Sequence, residues 1–347
     1  MLPIPAWTRW WLRVTSIAVV LVFVLSTGGA ASASRRATTG RAAKDAPRVI
    51  IDTDLSKWWD DVTALGLANV LHQQGTVRVL GIVSDVPNRV AVAAIDAIDT
   101  AYGNAKIPIG AVTSSDADTF EHGYTDELAR RLPHSVADST DVPNAVALYR
   151  RLLAGQRDKS VTIVSLGGYT NLAGLLESRR GQGSPLDGRA LVAKKVKRLV
   201  IMDGFFPGGG PAFTNQQIDL AAANTVVGGA GWPTPVAWAD GTVGVATRVG
   251  STLCATVAAD HPMRIAYESL FGCGPPKDGD WDAPALLYAL GDHPATFSEL
   301  GQGGAAVINP QGGLSWDDAS PRAHDVYVHV VDQAALNQRI DELLVAH

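Results

Sequence analysis

Between Val49 and Val70 the chain reads VIIDTDLSKWWDDVTALGLANV, which places Asp52, Asp54, Asp60 and Asp61 at one strand-to-helix junction. Carboxylates a few ångströms apart repel one another and raise each other's pKa, so such a group persists with a cation or a shared proton. A hard divalent ion is the simplest answer. Calcium or magnesium takes oxygen ligands, and the chain shows neither a CxxC pair nor the paired-histidine spacing that zinc prefers. Helix capping accounts for one aspartate at such a position and leaves the others unexplained.

The elements around the cluster decide where it sits. Val49, Ile50 and Ile51 form an apolar run expected as a buried parallel strand, and Val62, Leu65 and Ala68 recur at helical spacing beyond it. Further strand-like runs fall at 77–84, 107–112, 161–166, 199–203 and 235–239. Helical patterns fall at 89–102, 142–154, 171–177, 218–227, 261–271 and 283–290. That alternation predicts an α/β fold, a Rossmann-like and mostly parallel sheet flanked by helices. The aspartates then lie at a strand's carboxyl end, the edge where ligands bind in open α/β sheets. Asp85 to Asn88, Gly167 to Asn171 and Asp203-Gly204 belong on the same rim, while Asn215 and Asp282 precede or begin helices and are each explicable singly as caps. The glycine-rich segments 204–210 and 301–304 read as loops, and no internal repeat is seen.

With 347 residues, 46% hydrophobic and 18% charged, the chain is long and apolar enough for a large core. Arg9 and Arg13, an apolar stretch from Ile17 to Leu25 and Ala31-Ser32-Ala33 match a secretory signal peptide over 1–33, which implies a secreted or extracytoplasmic protein. The alternative is an uncleaved anchor, but the apolar run is short of the roughly 20 residues a span needs, so no membrane insertion is expected after cleavage. Removing 1–33 takes away Arg9 and Arg13 and no acid, moving the net charge from -5 to -7. A nucleic-acid partner is therefore not suggested. Residues 34–46 read as a flexible tether, and 47–347 as one folded domain, with a homo-oligomer left open. Cys254 and Cys273 are the only cysteines, and in an exported chain they form either a structural disulfide or two separate thiols.

The order DTD…DD, a Pro-Asn after the second strand, GGYTNLA, an Asn with an Asp four residues later, then WDAPAL resembles the nucleoside hydrolases of the inosine-uridine-preferring type, from about Arg48 onward. The resemblance implies calcium-dependent cleavage of the N-glycosidic bond of a ribonucleoside, and export of such an enzyme suggests salvage of extracellular nucleosides. It implies that Asp54, Asp61 and Asp282 ligate the ion through carboxylates and Thr170 through its backbone carbonyl. By the same resemblance Asp54 is the base on a metal-bound water, and Asp60, Asn88 and Asn215 hold the ribose hydroxyls, which selects ribose over a deoxy sugar.

Three departures qualify that pattern. Five residues, LSKWW, separate Asp54 from Asp60, as in a subgroup resembling D-I-G-x-D-V-D-D, but Trp58 stands where that subgroup carries an acid. Phe213 replaces the family's acidic residue two before Asn215, and Trp281 replaces a histidine before the last metal aspartate. Leaving-group assistance thus has two candidates: stacking of the base on Trp281, with Trp58 or Trp59, or proton donation by His122 in DTFEHGYTDE, with the tryptophans serving as packing. A calcium-dependent nucleoside- or sugar-binding protein without catalysis is the alternative function. An aspartyl-phosphate phosphatase also places DxD at a strand end, but WDAPAL and GGYTN fit it poorly.

Overall fold

In the computed structural model, residues 46–112, 123–181, 183–322 and 324–346 are described; the expected leader and His122 lie outside them, as does the tether apart from Ala46, which is already buried. The strands are β1 (Arg48–Thr53), β2 (Arg78–Ser84), β3 (Ile109–Ala111), β4 (Val161–Ser165), β5 (Val196–Met202), β6 (Val236–Ala239), β7 (Phe297–Ile308), β8 (Leu314–Asp317) and β9 (Asp325–Val330). They form one nine-stranded sheet in the order β3-β2-β1-β4-β5-β6-β9-β7-β8. From β3 to β9 the pairings are parallel; β7 runs antiparallel to both β9 and β8.

Strand β1 shows why the sheet is buried on both faces. Val49 and Ile51 pack on one side with Leu65, Ile95, Leu286 and Leu336, while Ile50 packs on the other with Leu148, Leu172 and Leu191. The helix Asp60–Gln73 is buried from Asp60 through Leu71, so it has no solvent face and packs against Pro262–Phe271, Asp282–Leu290 and Gln333–Leu344. Gly66 allows that approach, because Met263 occupies the space a Cβ would take. The disulfide Cys254–Cys273, with Cα atoms 5.7 Å apart, ties the short helix Leu253–Thr256 to the segment after Phe271.

One expectation needs correction. Residues 301–304 are not a loop: they lie inside β7, where the register shifts between Leu300 and Gly304 and the strand passes from β9 to β8. Glycine is required at 301 and 304 because the Trp316 ring occupies the space of a Cβ at both. The antiparallel extension β7–β9 and the helices Gly188–Lys195 and Gln333–Leu344 also go beyond the alternation read from the sequence. No helix among the described residues is long and apolar enough to cross a membrane.

Candidate active site

The order β3-β2-β1-β4-β5-β6 reverses direction between β1 and β4, and the crevice at their carboxyl ends is where doubly wound sheets bind ligands. Asp54 follows β1 there, and Gly167 follows β4. A Cβ on Gly167 would stand 2.7 Å from the Asp54 Cβ and 2.8 Å from its backbone nitrogen, so only glycine lets the two strand ends meet this closely.

The GGYTN segment is a hub that positions its neighbours. Tyr169 donates its hydroxyl to Asp203 Oδ2 at 2.7 Å, reaching the end of β5. Asn171 donates to Asp52 Oδ1 at 2.9 Å and to the Ser84 carbonyl at 3.1 Å, joining β1 and β2. Thr170 is the first residue of the helix Thr170–Glu177, and its Oγ1 donates to Asp219 Oδ2 at 3.5 Å. Asp219 in turn caps the helix Leu220–Val227 through Ala222 N. Asp52 is therefore not a free member of the acidic cluster: Tyr149 and Asn171 hold both its oxygens.

The other acids converge. Carboxylate oxygens of Asp60, Asp61 and Asp282 lie within 4.8 Å of one another, and Asp61 is within hydrogen-bonding reach of both Asp54 and Asp282. Thr53 Oγ1 donates to Asp61 Oδ1. Asp60 and Asp61 open one helix and Asp282 another, so the positive ends of two helix dipoles favour the charges placed there. Those dipoles do not neutralise them. Asp54 Oδ2, Asp61 Oδ2 and Asp282 Oδ1 are buried without a hydrogen-bond partner, and among the described residues no Lys, Arg or His forms a salt bridge with these groups.

Burial, then Asp61 and Asp85, pushes Asp54 well above the usual carboxylate range. Burial, then Asp280 and Asp61, does the same to Asp60, and burial followed by Asp60, Asp61 and Asp54 to Asp282. Such an array of orphaned hard oxygens fits a hard divalent cation, which takes oxygen ligands. Asp60, Asp61 and Asp282 are the carboxylates that converge closely enough to share an ion, so Asp60, assigned to the sugar by resemblance, stands inside the group, while the expected ligand Asp54 lies outside that trio and adjoins it through Asp61.

The remaining expected residues are distributed as follows. Asn88 Oδ1 accepts from Val90 N and Ala91 N and so caps the helix Ala91–Ala101. Asn215 donates to the Leu166 and Met202 carbonyls at 2.7 and 3.0 Å, bracing the ends of β4 and β5. Trp281 N donates to Asp60 Oδ2 at 3.1 Å, its Nε1 donates to the Gly241 carbonyl at 2.8 Å, and its ring fills the space beside Gly244. Trp58 is 44% exposed, and its carbonyl accepts from Tyr124 Oη at 2.6 Å. Trp59 is a packing residue, edge-on to Phe271 at 5.1 Å and to Tyr267 at 6.1 Å. The LSKWW loop is pinned by the Tyr124 hydroxyl, which also meets Ser56 N at 3.0 Å, and Ser56 adopts φ 95°, where the subgroup pattern has glycine.

Asp280 stands outside the motifs read from the sequence. It is fully buried beside Asp60, its Oδ1 accepts from Ala283 N, and burial raises it to about 7. Its signal was present as a second acid two residues before Asp282, in GDWD.

A family model described as inosine-uridine preferring nucleoside hydrolase matches residues 49–269. A comparison with curated proteins finds no match. Among solved structures the chain is similar in fold to an inosine-uridine preferring nucleoside hydrolase from Bacillus anthracis, with TM-score 0.66, 16% identity, and coverage of 87% of this chain and 100% of that one. It is also similar to an inosine-guanosine nucleoside hydrolase, with TM-score 0.63, 19% identity and coverage of 87% and 99%. A purine-preferring ribonucleoside hydrolase from Gardnerella vaginalis gives TM-score 0.63 at 17% identity, with coverage of 86% and 98%.

Proposed function

The chain belongs to the inosine-uridine preferring nucleoside hydrolase family, a family of N-ribosyl hydrolases, and we propose that it cleaves ribonucleosides in a calcium-dependent reaction with Asp54 as the general base. The observation that carries this reading is the set of orphaned oxygens of Asp54, Asp61 and Asp282 at the β1/β4 switch point. Calcium held by Asp54, Asp61 and Asp282, with the Thr170 carbonyl, would polarise water and lower its pKa. Asp54 accepts the proton as the water oxygen bonds to C1′ and the C1′–N bond breaks, its electron pair leaving with the base. Free base and ribose result once the departing nitrogen is protonated. Asp60, Asn88 and Asn215 hold the ribose hydroxyls; both Asn215 amide hydrogens are committed to Leu166 and Met202, so its Oδ1 is the atom it offers. The Trp281 indole N–H is committed to Gly241, so Trp281 helps the base leave through its ring rather than by donating a proton.

The same reading places the protein outside the cytoplasm, after removal of residues 1–33 and with 34–46 as a tether to the folded domain, where it salvages nucleosides. The Cys254–Cys273 disulfide supports an oxidising compartment. The test is release of free base and reducing sugar from a panel of ribonucleosides, in EDTA and in saturating calcium. Calcium-dependent release establishes the hydrolase and ranks its bases. Tight calcium binding with no release from any riboside would leave a binding protein instead.

A further inference from the structure

Asp85 has no task in the chemistry above. It directly follows β2, is 1% exposed, and has neither carboxylate oxygen in a hydrogen bond. Burial, then the charges of Asp52 and Asp61, pushes it well above the usual carboxylate range, against the opposing pull of Lys57 and the Gly168 N–H. Among the described residues no Lys, Arg or His forms a salt bridge with it. A carboxylate buried in this condition is costly until a cation or a proton meets it.

The fold turns Asp85 toward Asp54. Asp85 Oδ2 and the Asp54 Cβ each stand 2.7 Å from the point where a Cβ on Gly167 would lie, so the glycine keeps open the space in which the two residues meet. Asp54 is within electrostatic reach of both Asp61 and Asp85, and its Oδ2 is likewise without a hydrogen-bond partner. Neither Asp54 nor Asp85 belongs to the trio of Asp60, Asp61 and Asp282 that converges closely enough to share an ion. Charge counting points the same way. Asp54, Asp60, Asp61, Asp85, Asp280 and Asp282 are all buried, and one divalent ion at the trio offsets the charge of two of them. Lys57, whose ammonium acts on Asp54 and Asp85 together, offsets one more.

We propose that Asp54 and Asp85 form a second position for a hard divalent cation, with Asp54 shared between it and the trio. The proposal rests on the cation reading of the crevice and extends it from one ion to two. A pair of carboxylates is enough for magnesium, which keeps several waters in its shell, and calcium accepts the same oxygens in a looser geometry. Lys57 competes with the second ion, because both are drawn to the same two carboxylates.

The test counts ions. The metal-free full chain is titrated calorimetrically with calcium and, separately, with magnesium, and bound metal per chain is measured after equilibrium dialysis. The expected result with at least one of the metals is two ions per chain for the wild type and one for Asp85→Asn. In Lys57→Gln two ions are expected, with the weaker event tightened. A single ion per wild-type chain with both metals, or two ions retained by a folded Asp85→Asn, overturns the second position. Should Asp85→Asn fail to fold, Lys57→Gln decides: a tightened weaker event upholds the position and an unchanged one overturns it. Riboside cleavage is followed in the same samples. Cleavage with a single ion leaves the hydrolase without the second position, two ions without cleavage leave the second position without the hydrolase, and a chain that binds no ion removes the cation reading and the second position together.

Discussion

At the scale of single residues, the site divides into carboxylates that are satisfied by protein and carboxylates that are not. Asp52 is held by Tyr149 and Asn171, whereas Asp54 keeps an orphaned oxygen among Asp61, Asp85 and Asp60. The two classes should respond differently to mutation. Asp54→Asn keeps the shape while removing the proposed base, so kcat is expected to fall by about 10²–10⁴-fold with far less change in riboside binding; steady-state kinetics alongside calorimetric binding reads the split, and a variant with near wild-type kcat would remove Asp54 from the chemistry. Asn171→Ala acts on stability instead. It leaves Asp52 Oδ1 and the Ser84 carbonyl, both buried, without this donor, at about 1–3 kcal/mol for each stranded group. Urea unfolding should show that loss, and an unchanged midpoint would mean that water replaces the amide.

At the scale of elements, the crevice exists because β1 and β4 end together and two helices begin beside them. Gly167→Ala tests that arrangement, since its Cβ would press on the Asp54 backbone and on Asp85 at 2.7 Å. Overpacking of this kind typically costs about 1–3 kcal/mol, and here it displaces the residue proposed as base, so activity should fall more than stability does. Measuring kcat and the urea midpoint on one preparation separates the effects; a fully active Gly167→Ala would show that the strand ends have slack. The same elements explain what was legible in the sequence. The apolar run at Val49 to Ile51 and the adjacent acids announced the strand, the helix and the cluster because all three are local. Asp280 and Phe205 carry no such local mark, because their neighbours, Asp60 and Gly241, arrive from other parts of the chain. Residues 301–304 misled because glycine there makes room for Trp316 rather than marking a loop.

At the scale of the whole molecule, so many buried acids make stability depend on pH and on the cation together. Burial raises Asp52 and Asp280 to about 7 and Asp203 to about 6, against about 3.9 for an aspartate in the unfolded chain. The folded protein thus binds more protons than the unfolded one between about pH 4 and 7, so the cation-free protein is most stable below that window and loses stability as pH rises through it. Asp138, which hydrogen bonds from Thr140 and Arg89 hold at about 2, has the opposite sign, but its window lies below about pH 4. His72, lowered by burial, also opposes the trend, as one group against several. Under the proposed function calcium would reverse the dependence, because it would bind the ionised carboxylates of Asp54, Asp61 and Asp282 and add about 2.7 kcal/mol at a hundredfold excess over its Kd. The expected outcome is a Tm that falls from pH 5 to pH 8 in EDTA, with a calcium-induced rise that is small at pH 5 and large at pH 8. A Tm indifferent to calcium at pH 8 would mean that the acids hold protons rather than a cation, and the hydrolase would then need another way to activate its water.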